Sequence, residues 1–218
     1  MKPFPFCSIA FLLYGLLAPN VLCCAQVAQP RTGHIKLANI RMLDAILAVA
    51  KDLNSPLGIM CADERLRDSE ITVDIDGMTA IDAFHAVTAS QPDLRTTSLG
   101  GVVFVQRTPL PSYCSFLVLK VPAFDAERDT VQHLSAKLWM TLEMQLDPKR
   151  TGFMGVLHPN AKDKSIGPAR LKGEQVKDIL NWMVKQHGAA AWVGLPTTDV
   201  KKASAEELWH IVFYDPPD

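Results

Sequence analysis

A strand, a glycine and an amphipathic helix occur in that order twice, and this recurrence limits the fold more than any other feature. The first copy is "EITVDIDGMTAIDAFHAV", residues 70–87. Ile71, Val73 and Ile75 alternate with polar residues, the period of a half-buried strand, and after Gly77 the apolar residues Ala80, Ala83, Phe84 and Val87 follow helical spacing. The second copy is "IGPARLKGEQVKDILNWMV", residues 166–184. Gly173 stands 96 positions after Gly77 (173 − 77 = 96). Val176, Ile179, Leu180 and Met183 take the places after it that Ala80, Ala83, Phe84 and Val87 take after Gly77, and Asp178 matches Asp82. Self-similarity at a fixed offset reads as a repeated supersecondary unit.

The flanks repeat as well. A polar stretch read as a flexible lead-in, "QVAQPRTG" (26–33), precedes a short strand in "HIKLAN". Residues 42–53 carry Leu43, Ile46, Leu47, Ala50 and Leu53 on one helical face, and "LGIMC" is an apolar strand. After the helix that Thr79 caps, "LRTTS" and "GVVFVQ" form a hairpin through Gly100 and Gly101. Pro109 and Pro111 mark a linker over 108–115, since proline cannot donate to a ladder. The second half reads as a strand in "FLVLKV" and a long helix over 125–146 with Asp125, Glu127 and Asp129 in its first turns. A strand at 152–157, a strand in "GPARL", a helix over 174–187 and two closing strands around the Lys-rich loop 196–206 complete it. The expected fold is α+β: two tandem modules, 34–107 and 116–215, each with two helices packed on a small mixed sheet.

The first 25 residues have a secretory layout: Lys2, an apolar run from Ile9 to Ala18, then Cys23 and Ala25 as small residues before a cut after Ala25. The run is shorter than the roughly 20 residues of a membrane span. Leu22 is too bulky for a good lipoprotein signal at Cys23 or Cys24. The mature chain is then expected in the periplasm or outside the cell, with Cys61 and Cys114 its only cysteines. They read either as one disulfide or as two buried thiols. The net charge of −1 over 218 residues, with no basic run longer than two, argues against nucleic acid.

No catalytic or metal-binding pattern stands out. The histidines His34, His85, His133, His158, His187 and His210 have no ligand spacing. Asp63-Glu64 and Asp74/Asp76 are the closest acid pairs, and the latter read as solvated charges on a strand's outer face. Ser112 and Ser115 lack a glycine elbow. No cofactor motif occurs. Trp182, Trp192, Trp209 and Tyr214 gather near the end, filling a core or forming an aromatic patch for a partner; Trp192, Trp209, Ile211 and Phe213 are the candidate partner-binding residues.

The stretches "LDAILAVAKDLNSPLGIM", "ITVDIDGMTAIDAFHAV" and "GGVVFVQ" resemble the short N-terminal domain of secretins and TonB-dependent receptors, over residues 34–107. The second half looks like a divergent relative of the same domain. The resemblance implies a periplasmic interaction module, not a catalyst, with a protein partner in the cell envelope. A small exported hydrolase and a membrane-anchored structural lipoprotein are the alternatives.

Overall fold

The computed structural model describes residues 31–146, 159–160, 164–188, 191–196 and 209–214. The signal-like residues 1–25, the strand expected at 152–157 and most of the loop 196–206 lie outside them. The first half runs β1 (Ile35–Arg41), α1 (Met42–Asp52), β2 (Leu57–Met60), the short α2 (Glu64–Asp68), β3 (Glu70–Ile75), α3 (Ala80–Thr88), β4 (Leu94–Leu99) and β5 (Val102–Arg107). A 3-10 turn, Ser112–Val118, leads to β6 (Lys120–Val121), β7 (Phe124–Ala126), β8 (Asp129–Thr130) and α4 (Val131–Leu146). Then come β9 (Pro159–Asn160), β10 (Ser165–Ile166), β11 (Ala169–Leu171), β12 (Glu174–Gln175), α5 (Val176–His187), β13 (Ala191–Pro196) and β14 (Trp209–Tyr214). The fold is mixed α+β.

One arrangement recurs in the two halves. β1 pairs antiparallel with β3, and α1 and α3 follow those strands. In the second half β6, β7 and β8 pair antiparallel with β12, β11 and β10 in one unshifted register, and α4 and α5 follow. The turns before α3 and α5 contain Gly77 and Gly173 at φ 60° and 68°, the left-handed region where a side chain would be strained. Thr79 caps α3 by accepting from the Asp82 N–H at 3.3 Å.

The remaining strands form one sheet in the order β4-β5-β2-β13-β14-β9. Within it, β4-β5-β2 and β13-β14-β9 show the same senses: an antiparallel pair, then a parallel one. The halves meet where β13 lies parallel to β2, with Ala191, Trp192 and Val193 beside Leu57, Gly58 and Ile59. A separate sheet for each module is therefore not what forms; the strands of both halves pair with one another. Two apolar clusters cover the two faces. One joins α1 and α3 to Leu57, Ile59, Val103, Val105, Ala191 and Val193. The other joins α4 and α5 to Met60, Val102, Phe104, Trp192, Ile211 and Phe213. This alternation explains why β2 and residues 102–105 of β5 are apolar without a break: both their faces are covered.

Three local expectations are corrected. The helix expected from 125 begins only at Val131, because 124–126 and 129–130 pair with 169–171 and 165–166. Asp125 and Glu127 therefore lie outside the helix; Thr130 accepts the His133 N–H at 3.3 Å and opens the first turn. "FLVLKV" is a strand only from Lys120, since the 3-10 turn carries Cys114, Phe116 and Leu117 into the core. The end of the lead-in is docked: Thr32 donates to the Met78 carbonyl at 3.0 Å, and Gly33 donates to Asp52 at 2.9 Å.

Candidate functional site

β2, β5 and β13 are mutually parallel, so their carboxyl ends lie along one margin of the sheet, where parallel sheets commonly place ligands and polar side chains. The main charged cluster among the described residues is found there. Arg107 ends β5 and is 4% exposed. Its guanidinium donates to Asp93 through Nη1, and through Nη2 to Asp63 at 2.7 Å and Gln91 at 3.0 Å. Asp63 follows β2, and its Oδ1 also accepts the Leu66 N–H at 3.1 Å, capping α2. Asp93 and Gln91 lie in the turn between α3 and β4, held by the Leu94 N–H to Gln91 carbonyl bond at 3.0 Å. Gln91 Nε2 donates to the Arg65 carbonyl and to Ser69 Oγ, both at 3.1 Å. Arg65 lies on the solvent side, 3.7 Å from Asp63 and 3.6 Å from Asp93.

The electrostatics fit a clamp, not an acid–base couple. Burial works to raise the Asp93 carboxyl, but the hydrogen bond and charge of Arg107, with help from Arg65, outweigh it and hold the group below its ordinary range. Burial likewise opposes the Arg107 charge, and the bonds to Asp63 and Asp93 more than offset that, raising it. Two cations and two anions cancel, and a carboxylate held ionised by a buried arginine is a poor proton donor. The cluster ties β2, α2, β5 and the α3–β4 turn together. In the sequence Asp63 stands out only as a neighbour of Glu64, and nothing local connects it with Arg107. The available signal is an arginine two residues after the apolar run "GVVFV", a charge needing a partner wherever that strand is buried.

Trp192, Ile211 and Phe213 are core residues and offer no partner surface. Trp192 is fully buried, its Nε1 donating to Asn181 Oδ1 on α5 at 2.8 Å. Its indole lies against Gly58, where an added Cβ would come 2.7 Å from Nε1. The indole therefore fills the seam between the halves and leaves no room for a side chain on β2. Trp209 belongs to β14, and its side chain lies outside the described residues. β14 is paired along its length with β13 and, among the described residues, with β9 at Phe213 and Tyr214.

Cys61 and Cys114 are joined as a disulfide, both buried, with Cα atoms 6.4 Å apart. The bond fastens the end of β2 to the 3-10 turn. Of the histidines, His34 lies 3.6 Å from Asp74 and His133 lies 2.9 Å from Asp129, both pairs exposed. His158 lies outside the described residues, as does the His210 side chain. Among the described residues, no group of three His, Cys, Asp or Glu side chains is placed to hold a metal ion, and no helix is long and apolar enough to cross a membrane. No protein-family model, curated protein or solved structure matches the chain.

Proposed function

We propose that the protein is a non-catalytic interaction protein of the cell envelope, built from two copies of one short module akin to the N-terminal domain of secretins and TonB-dependent receptors. The observation that carries this reading is the recurrence of one strand order, β4-β5-β2 and β13-β14-β9, each with its own helix pair and antiparallel ribbon. Duplicated small modules of this kind present sheet edges and helix faces to partners, and the paired charges of the Arg107 cluster favour holding the fold over turning over a substrate. The buried Cys61–Cys114 bond favours an oxidising compartment, in keeping with the secretory layout of residues 1–25.

The test is cross-linking in intact cells, followed by recovery from the envelope fraction, with mass spectrometry of both the recovered proteins and the N-terminus. The reading expects a chain beginning near Gln26, an oxidised Cys61–Cys114 pair and a reproducible protein partner. Recovery from the cytosol with both thiols free would contradict it. So would robust turnover by the purified protein on a panel of hydrolase substrates.

A further inference from the structure

The six-stranded sheet ends in two strands that differ in how they are protected. At one end, Pro159 of β9 pairs with Phe213 as Ile59 of β2 pairs with Val105. The Val103 N–H donates to the Pro56 carbonyl at 2.9 Å, so in the parallel ladder Gly58 and Met60 bond towards β5, and the peptide groups of Ile59 turn towards β13. Pro159 therefore sets its nitrogen, which has no hydrogen, at the outer edge. That is a recognised guard against further strand pairing.

Among the described residues no strand covers the outer edge of β4, and there only the Arg95 guanidinium reaches an edge group, the Leu94 carbonyl at 3.4 Å. The β4 sequence, Leu-Arg-Thr-Thr-Ser-Leu, contains no proline or lysine, and its register with β5 is unbroken over six residues. The Thr108 N–H to Asp93 carbonyl bond, at 2.8 Å, and the two-residue turn at Gly100 and Gly101 fix the alternation. Arg95, Thr97 and Leu99 bond to β5, so the peptide groups of Thr96 and Ser98 face outward. The corresponding strand of the second half, β13, has its outer edge filled by β2. At the open β4 edge stands Thr96, 8% exposed, whose Oγ1 is buried without a hydrogen-bond partner among the described residues.

We propose that β4 pairs antiparallel with β4 of a second copy about a twofold axis through Thr96, continuing the sheet from one chain into the next. This register sets Thr96 opposite Thr96 of the second copy, Leu94 opposite Ser98, and Arg95 opposite Thr97. Thr96 then stands opposite Thr96, and a rotation of each side chain about its Cα–Cβ bond would bring the two buried hydroxyls within reach of each other, a favoured cross-strand pair. No like charges face one another. The contact closes on itself, as twofold contacts do. The inference concerns self-association and stands independently of an envelope partner.

Sedimentation of the purified protein over a concentration series, with Tm recorded for each variant, tests it. The wild-type chain should sediment as a dimer that dissociates on dilution. Ser98→Pro removes an outward N–H and should give a monomer of unchanged Tm on dilution. Thr97→Arg sets like charges opposite one another twice and should weaken the dimer about tenfold, whereas Thr97→Glu faces Arg95 and should tighten it by a similar factor. A wild-type monomer at every concentration would overturn the proposal. A dimer indifferent to both Ser98→Pro and Thr97→Arg would overturn it too, as would one loosened by Thr97→Glu.

Discussion

Thr96 and Trp192 hold the same place in the two halves, each 19 residues after the glycine that opens its helix and each on the strand that follows that helix. Their surroundings differ completely. Trp192 has β2 alongside it, Gly58 beneath its ring and Asn181 bonded to its Nε1. Thr96 has an open edge beside it and a hydroxyl with no partner among the described residues. One sheet position thus serves two purposes according to what lies next to it. Where a neighbouring strand is built into the chain, a large side chain seals the seam. Where no described strand lies alongside, a small buried residue takes the same place.

The largest expected effect comes from breaking that contrast at the seam. Trp192→Ala should cost about 3–5 kcal/mol, because it empties a fully buried site and orphans the Asn181 carbonyl. The matching change Thr96→Ala should cost under about 1 kcal/mol, since its hydroxyl has no partner to lose. Urea unfolding of both variants checks the ratio; equal losses would show that the two positions are not different in kind.

Next comes the clamp of the first half, for which the described residues of the second half have no counterpart. Arg107→Ala leaves the part-buried Asp63 and Asp93 without their shared cation, with Arg65 still nearby, a loss of about 1–3 kcal/mol. The same clamp gives a pH signature. The folded Asp93 carboxyl lies below its unfolded value, so its contribution is present above about pH 4 and disappears as pH falls through the folded value. Asp93→Asn should flatten the fall in Tm across that acid window while lowering Tm at neutral pH.

An effect of similar size tests the seam from the β2 side. Gly58→Ala puts a methyl group into the Trp192 ring and should cost about 1–3 kcal/mol through overpacking. In the Trp192→Ala background the same change should cost less, because the obstacle is gone. The smallest effect compares the helix starts. Thr79 caps α3, whereas Gln175 at the matching place makes no side-chain cap to α5. Thr79→Ala should lose, and Gln175→Thr should gain, about 1 kcal/mol or less, read as opposite shifts in Tm.

Much of the local structure was legible because it rests on short-range periodicity. Gly77 and Gly173 announced α3 and α5, and Gly100-Gly101 announced the β4–β5 hairpin. The segment 124–130 misled because Asp125, Glu127 and Asp129 resemble the acidic start of a helix. Its strand character depends on 165–171, about 40 residues away along the chain. The seam was hidden for the same reason: nothing near Leu57 or Ala191 signals that they pair. The Arg107 clamp was hidden because its two carboxylates come from separate loops that only the folded sheet margin unites. Trp192 stands out as a candidate partner residue because it gathers with Trp182, Trp209 and Tyr214 near the end of the sequence, where nothing local shows what covers them. Here the cover is the chain's own second layer of helices.

The central claim is that the halves are joined in one sheet through β2 and β13, and hydrogen exchange of the native protein in low urea tests it most directly. The amides of β5 and β2 in the first half and of β13 in the second should open together, with one free energy that equals global unfolding. Separate opening energies, with β13 exchanging freely while β5 and β2 stay protected, would contradict a shared sheet and restore two independent modules.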